Sequence, residues 1–426
     1  MTPKRTMAAL VTATLAATAL AGCSASGGGS TTITFWTHTH PPMIEVYENL
    51  IAEYEDANPG VTIDYETIPN NEFGTKMLTS LSNGSGPDII NMDDSALRGD
   101  YIPKGLLAPV DPAALGAGSV DEVIGRYVPG TLAGAQGDDG ALYGLPSEFN
   151  GTALAINVQH FEDAGLDPET TPLATWDDVY EASKALAAAG HTQAFSFLYL
   201  HSGWYSQQLQ TLLHQTGGAI ADGDEGTLDS PQAIEALQWW ADLAGGAKST
   251  ADPNVTSREA TVPFQDLATG LQSMAILYPW SMDQIAETNP DTYANLKVVP
   301  LPQVDPGAPA SRVYAYYWAV NKDSDVQPEA WKFIQFLSEH SEEFLTGTDF
   351  VQPLVGWEQS AAAQEIPFID TWGEAYATGK FDQVTEHYSE VQDAITKMVN
   401  DAVFDGVPVE EAAKNASEAV TRILQG

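Results

Sequence analysis

Gly86-Pro87-Asp88-Ile89-Ile90-Asn91-Met92-Asp93-Asp94-Ser95 is the stretch from which the fold is read. A turn-prone Gly-Pro pair releases a short β-rich run at 88–92, and three polar residues follow at once. Such a run, bounded by breakers, reads as a strand. Comparable runs recur at 33–36, 61–68, 151–157, 194–199, 273–278, 296–299 and 314–321, with helical patterns between them. This alternation predicts α/β architecture with largely parallel sheets, which bind ligands beyond the carboxyl ends of their strands.

The helical segments are punctuated. Thr175 can cap a helix over 176–189 that Gly190 closes, and Ser230-Pro231 opens another that Gly245-Gly246 stops. Pro328 opens a third; 388–402 and 408–424 keep helical spacing to the end. Segments 134–140 and 221–226 read as surface hairpins, and the acidic 222–226 run lacks the remaining ligands of a calcium loop. No repeat of 20–50 residues is found, which argues against solenoids and propellers.

With 426 residues, 43% hydrophobic and 18% charged, the chain is globular, with room for two or three domains. Its 17 Lys and Arg against 58 Asp and Glu give a net charge of −41, which repels polyphosphate and excludes nucleic acid and anionic membrane surfaces as partners. The acidic surface also fits a solubility device or an adaptation to salt.

Lys4 and Arg5 precede an apolar stretch at 7–20, too short to span a bilayer but suited to a secretory signal. It ends in Leu20-Ala21-Gly22-Cys23, which resembles the bacterial lipoprotein box, and Cys23 is the chain's one cysteine. The expectation is a signal peptide at 1–22, a lipidated Cys23, and a Gly/Ser-rich linker to residue 32 that tethers the folded part to the cell membrane. The mature chain then has no internal disulfide.

No HExxH, CxxC, phosphate loop, GxGxxG after a strand or GxSxG elbow is present, so the usual zincin, redox, NTPase, dehydrogenase and serine-hydrolase signals are missing. His38 and His40 lie two apart after the first strand, without a carboxylate or third His near in sequence, and read as ligand contacts or structural residues rather than metal ligands. Aromatic residues recur beside polar groups at strand ends: Phe35-Trp36, Trp204-Tyr205, Pro279-Trp280, 314–318, Trp357 and Trp372. Flat rings beside carboxylates and amides suit a sugar, which presents C–H faces and hydroxyls.

In this order the segments are recognisable. The Ile-Thr-Phe-Trp strand at 33–36, Gly86-Pro87-Asp88-Ile89-Ile90, Leu142-Tyr143-Gly144-Leu145-Pro146, Thr175-Trp176-Asp177-Asp178, Gly217-Gly218, Ser273-Met274-Ala275 before Trp280, Val299-Pro300-Leu301-Pro302 and Trp318-Ala319-Val320-Asn321 stand behind a lipoprotein box. The chain resembles the extracellular solute-binding proteins of carbohydrate ABC importers, maltose-binding proteins among them.

The resemblance implies a two-lobe, periplasmic-binding-protein-like fold of type II, with a ligand cleft between lobes joined by a hinge. Lobe one is expected at 31–147 plus 305–345, lobe two at 148–304 plus 346–426. Carried over position by position, it implies ligand contacts at Trp36, His38 and His40 after the first strand, and at Asp93, Asp94 and Ser95 in the following turn. Glu148 and Asn150 are implied beside the hinge, Trp204, Tyr205 and Trp280 as stacking positions on lobe two, Tyr316 or Tyr317 on the crossing strand, and Tyr388 at a helix start, with Glu72 and Trp357 ranked lower. The sequence departs from the linear-maltodextrin pattern at Met92, where an aromatic is expected in the turn.

Three readings follow. The first is a non-catalytic protein, monomeric and without metal or cofactor, that binds a mono- or oligosaccharide and passes it to an ABC permease's transmembrane subunits. The second is the same fold tuned to a cationic or other small solute; the third is a cell-surface glycoside hydrolase, which needs two suitably spaced carboxyls.

Overall fold

The computed structural model describes residues 30–197, 204–249 and 263–426. Cys23, the signal segment and most of the linker lie outside them, as do the last two residues of the run expected at 194–199. The described residues form twelve strands: β1 (Thr31–His38), β2 (Val61–Ile68), β3 (Ile89–Asp93), β4 (Leu107–Ala108), β5 (Gly144–Gly151), β6 (Ala153–Asn157), β7 (Ala221–Asp222), β8 (Glu225–Gly226), β9 (Met274–Leu277), β10 (Leu296–Pro300), β11 (Ser311–Asn321) and β12 (Gly379–Phe381).

Two sheets organise two lobes. The larger runs β12-β11-β3-β1-β2, with β4 and β5 also paired to β11; the smaller runs β10-β6-β9. β1 pairs parallel with β2 and β3, but β11 runs antiparallel to β3 and β5, and the smaller sheet is antiparallel throughout. The expectation of largely parallel sheets therefore holds only for β1–β3 and for the short β11–β12 pair at the sheet edge. All eleven residues of β11 and all eight of β5 are buried, and a strand covered on both faces reads as one apolar run whatever its direction. The run expected at 151–157 is the end of β5 and all of β6, parted only by Thr152: the chain passes straight from one sheet into the other. Among the described residues of the run expected at 194–199, only Phe195 forms a β-bridge, to Met274.

Local signals are realised where they were strong. Thr175 and Asp178 form a reciprocal capping box at 3.0 and 2.9 Å, and Ser230 accepts from the Ala233 N–H with Pro231 in the first turn. The antiparallel β7–β8 ladder is the hairpin expected at 221–226.

Period-two alternation distributes side chains to the cores. On β6, Leu154 and Ile156 face a core with Trp176, Trp240 and Met398, while Ala153 and Ala155 face another with Leu277 and Trp372. On β11, Val313, Ala315 and Tyr317 join the lobe-one core, whereas Tyr314 and Tyr316 face the other way. β5 and β11 pair from Gly151–Val313 to Gly144–Ala319, with a register shift between Tyr316 and Tyr317 that leaves Ser147 opposite no partner. A third crossing runs beside them, where Phe149 donates its N–H to the Val351 carbonyl at 2.7 Å.

One buried ion pair fixes the root of this crossing. Arg312 of β11 donates to Asp382 just after β12, Nε to Oδ1 at 2.9 Å and a terminal nitrogen to Oδ2 at 2.8 Å, with side-chain exposures of 2% and 1%. Arg98 adds a bond to the Asp382 carbonyl at 3.0 Å and an ion pair to Asp94 at 2.9 Å. Breaking such a pair strands a charge, whereas replacing both partners by apolar groups is far milder. Arg312→Met is thus expected to lower unfolding stability by about 3–5 kcal/mol in urea titrations, and Arg312→Met with Asp382→Leu to recover most of it. A single variant as stable as the parent contradicts this role.

Candidate functional site

The carboxyl ends of β1, β2 and β3 on one lobe meet helix N-termini of the other across a cleft. Two cavities occupy it. The first, about 570 Å³, is lined by His38, His40, Asn70, Glu148, Phe264, Trp280, Gln284, Tyr314 and Phe350 among others. The second, about 410 Å³, is bounded by Asp93, Asp100, Gln207, Tyr388 and Asp393. Asn70, Trp204 and Tyr316 line both, which makes one cleft with a waist. The lobes touch at either end: His40 Nε2 lies 3.4 Å from Gln284 Nε2, and Ser389 donates to Asp100 at 2.8 Å.

Sheet register sets the centre. Tyr316 pairs with Asp93 on β3 and with Glu148 on β5, and directly opposed residues project to the same face. Asp93, Tyr316 and Glu148 therefore stand in a row across three strands, with the His38 ring 5.0 Å from that of Tyr316.

On lobe two, Trp280 sits in the first turn of the Pro279–Thr288 helix. Its Nε1 donates to the Tyr314 hydroxyl at 2.7 Å, its ring stacks near-parallel on Tyr278 at 5.5 Å, and Phe264 meets it edge-on at 5.4 Å. These contacts fix the plane of the indole. Tyr388 opens the Tyr388–Val403 helix, its hydroxyl accepting from Gln207 at 3.1 Å and Gln392 at 2.8 Å. A Cβ at residue 99 would collide with Tyr388, so Gly99 lets this helix reach lobe one.

Burial sets the charge of the walls. It lowers His38 to about 3, with His40 adding repulsion, and His40 to about 4, so both rings are neutral at pH 7. It raises Glu148 to about 8, against a smaller pull from the Asn150 amide, so this carboxyl is protonated there. Asp93 is pushed up to about 6 by burial and by Asp94, partly offset by the Ala96 N–H. Three buried atoms in the first cavity have no hydrogen-bond partner: His38 Nδ1, His40 Nδ1 and Glu148 Oε2. Among the described residues no Lys or Arg lines either cavity. The arrangement presents fixed aromatic faces and unpaired hydrogen-bonding atoms to something with hydroxyls and no negative charge.

Of the residues singled out in the sequence, the walls bring together His38, His40, Asp93, Glu148, Trp204, Trp280, Tyr316 and Tyr388. Six stand elsewhere. Trp36 is half-buried under the Lys76 ammonium, 4.6 Å above its ring, two residues short of the strand end that His38 reaches. Asp94 is committed to Arg98 and to the Ala315 N–H at 3.2 Å. Ser95 donates its N–H to Asp93 and turns its hydroxyl to Asp382 and Tyr388. Asn150 lies two residues further along β5 than Glu148, opposite Tyr314, and is fully buried. Tyr205 turns into the lobe-two core against Trp240 at 5.4 Å. Tyr317 has the wrong parity and donates to the Thr131 carbonyl inside lobe one.

Sequence reasoning missed Asn70, Gln207, Phe264, Gln284 and Phe350. Gln284 is detectable in principle, four residues after Trp280 on one helix face; Gln207, Phe264 and Phe350 have no comparable signal.

Residues 40–343 match the family model described as bacterial extracellular solute-binding protein. A binding protein of Brucella abortus is 28% identical over 303 residues, 68% of either chain. An arabinooligosaccharide-binding protein of Halalkalibacterium halodurans is 22% identical over 415 residues, 93% of this chain and 90% of that one. Among solved structures, an ABC-transporter solute-binding protein of Thermotoga lettingae bound with α-D-tagatose superposes with a TM-score of 0.81 at 22% identity, covering 93% of this chain and all of that one. The two-lobe fold is thereby shown.

Glu148 generates a pH prediction. Between its ordinary 4.5 and about 8 the folded protein holds a proton that the unfolded chain has lost, so its contribution to stability falls as pH rises, by up to about 1.4 kcal/mol per pH unit, and levels off above 8. Glu148→Gln removes that slope: in melting curves from pH 5 to 9 the variant should match the parent near pH 5 and melt higher at pH 8. A variant that melts lower than the parent at pH 8 refutes the assignment.

Proposed function

The chain belongs to the bacterial extracellular solute-binding protein family, and from that premise we propose that it captures a mono- or oligosaccharide between its lobes and delivers it to an ABC importer's transmembrane subunits. The observation that carries the reading is the indole of Trp280, held by Tyr278 and Tyr314 in a cavity whose unpaired buried atoms belong to neutral histidines and a protonated carboxyl. Sugar C–H faces stack on such a ring, and hydroxyls both donate to and accept from such atoms. The ligands named for the relatives, an arabino-oligosaccharide and tagatose, support the same class.

The protein acts without catalysis, metal or cofactor, as a monomer. Its lobes divide at 31–147 plus 305–345 and 148–304 plus 346–426 and close about the crossing segments; support comes from Phe344 packing with the lobe-one core while Leu345 packs with a lobe-two core. Closure gives the permease a surface that differs with occupancy. Asp93, Asp100 and Asp393 in the second cavity favour a second reading, a cationic solute such as a polyamine.

A thermal-shift panel of mono- and oligosaccharides, polyamines and amino acids separates the two. A sugar at 100 times its Kd adds about 2.7 kcal/mol of stability, should raise the melting temperature, and should be recovered unchanged; Trp280→Ala should weaken it at least tenfold, roughly 1.4 kcal/mol. Shifts by cationic solutes alone establish the second reading, and cleavage of the sugar establishes a hydrolase. Work outside the cytoplasm follows from the family; anchorage rests on Cys23. Cys23→Ser is expected to move the protein from the membrane fraction to the soluble fraction, and unchanged fractionation contradicts lipidation.

A further inference from the structure

The two cavities make different demands. Each lies within the span of a complete small-molecule site, about 300–1,000 Å³, and their walls share Asn70, Trp204 and Tyr316. The first offers the Trp280 face and three unpaired atoms, His38 Nδ1, His40 Nδ1 and Glu148 Oε2. The second has an unpaired buried atom of its own. Gln207 lines this cavity, is 8% exposed and donates its Nε2 to Tyr388, and its buried Oε1 has no partner. A ligand confined to either cavity pairs only that cavity's atoms and forgoes the gain, about tenfold or more in affinity for each buried atom satisfied, from pairing those of the other.

We propose that the physiological ligand is a neutral oligosaccharide of at least three units that threads the waist and occupies both cavities at once. One unit stacks on Trp280, one lies between Trp204 and Tyr316, and one reaches Gln207. This rests on the sugar-binding reading and adds length and charge to it. The charge follows from the walls: the second cavity carries Asp93, Asp100 and Asp393, with Asp100 shared between Lys104 and Ser389, and among the described residues neither cavity has a lining cation to accept a uronate or phosphate.

The test is isothermal titration of the purified full chain with glucose through maltotetraose, arabinose through arabinotetraose, and mannose through mannotetraose. In the series that binds, Kd should fall at least tenfold between the disaccharide and the trisaccharide, and Gln207→Leu should narrow that step to less than threefold. The same trisaccharide ending in a uronate should bind at least tenfold more weakly than the neutral one. A monosaccharide that binds as tightly as the trisaccharide overturns the length assignment and leaves sugar binding standing; a uronate that binds equally well overturns the charge assignment. If none of the three series binds while a polyamine does, the sugar reading itself falls. Should Gln207→Leu fail to fold, the length series on the unaltered protein still decides.

Discussion

The β5–β11 pair is the constraint on which the rest of this molecule depends. Two antiparallel strands, buried along their whole length, belong to neither lobe alone. Their outer ladder bonds go to β3, β4 and β12, so any relative motion of the lobes must be absorbed where these partners end. Because side chains alternate, the same strand sends Tyr317 into one core and Tyr316 to the cleft. The register shift at Ser147 brings Glu148 opposite Tyr316, and without it Glu148 and Asp93 would not flank one tyrosine. Site geometry is thus a consequence of strand pairing rather than of loop placement.

The sequence made the elements legible where their chemistry is local. Caps at Thr175 and Ser230 and the hairpin at 221–226 depend on neighbours a few residues away, and all three are realised, while the strands expected at 33–36 and 88–92 run on to His38 and Asp93. Strand direction was not legible, because a buried antiparallel strand and a buried parallel one share the same apolar content. The choice between Tyr316 and Tyr317, or between Trp204 and Tyr205, turns on parity and helix phase set by distant packing, which adjacent aromatic residues leave open. Trp36 misled for a related reason: one period of the strand separates it from the cleft, and Lys76 from the Asn70–Ser82 helix covers it. Gln207 gave no warning, since its meaning lies in one amide oxygen left over after Tyr388 has taken the nitrogen.

Electrostatics separates the scaffold from the site. A chain with a net charge of −41 must keep its few cations where they do most, and Arg312 and Arg98 are spent on Asp382 and Asp94 behind the cleft. That frees the cleft itself of fixed positive charge among the described residues. In the first cavity burial then removes charge from both histidines and from Glu148, leaving the rings unprotonated and the carboxyl protonated, while Asp93, Asp100 and Asp393 line the second. In such a low-dielectric setting each hydrogen bond is stronger than in water and each missing one costs more.

The unpaired atoms explain why such a cleft can discriminate occupied from empty. His38 and His40 belong to lobe one, Gln207 to lobe two and Glu148 to the crossing between them, and without a ligand each of the four keeps a buried atom that has no partner. An empty closed form pays that penalty in full, while a ligand that satisfies atoms on both sides removes it only when the lobes meet. The preference for closure therefore comes from differential satisfaction of the same groups in two states, the one source from which a ligand can shift such an equilibrium. A ligand that reaches atoms on one lobe alone could bind without shifting it, which is why affinity and closure need not rise together along a sugar series.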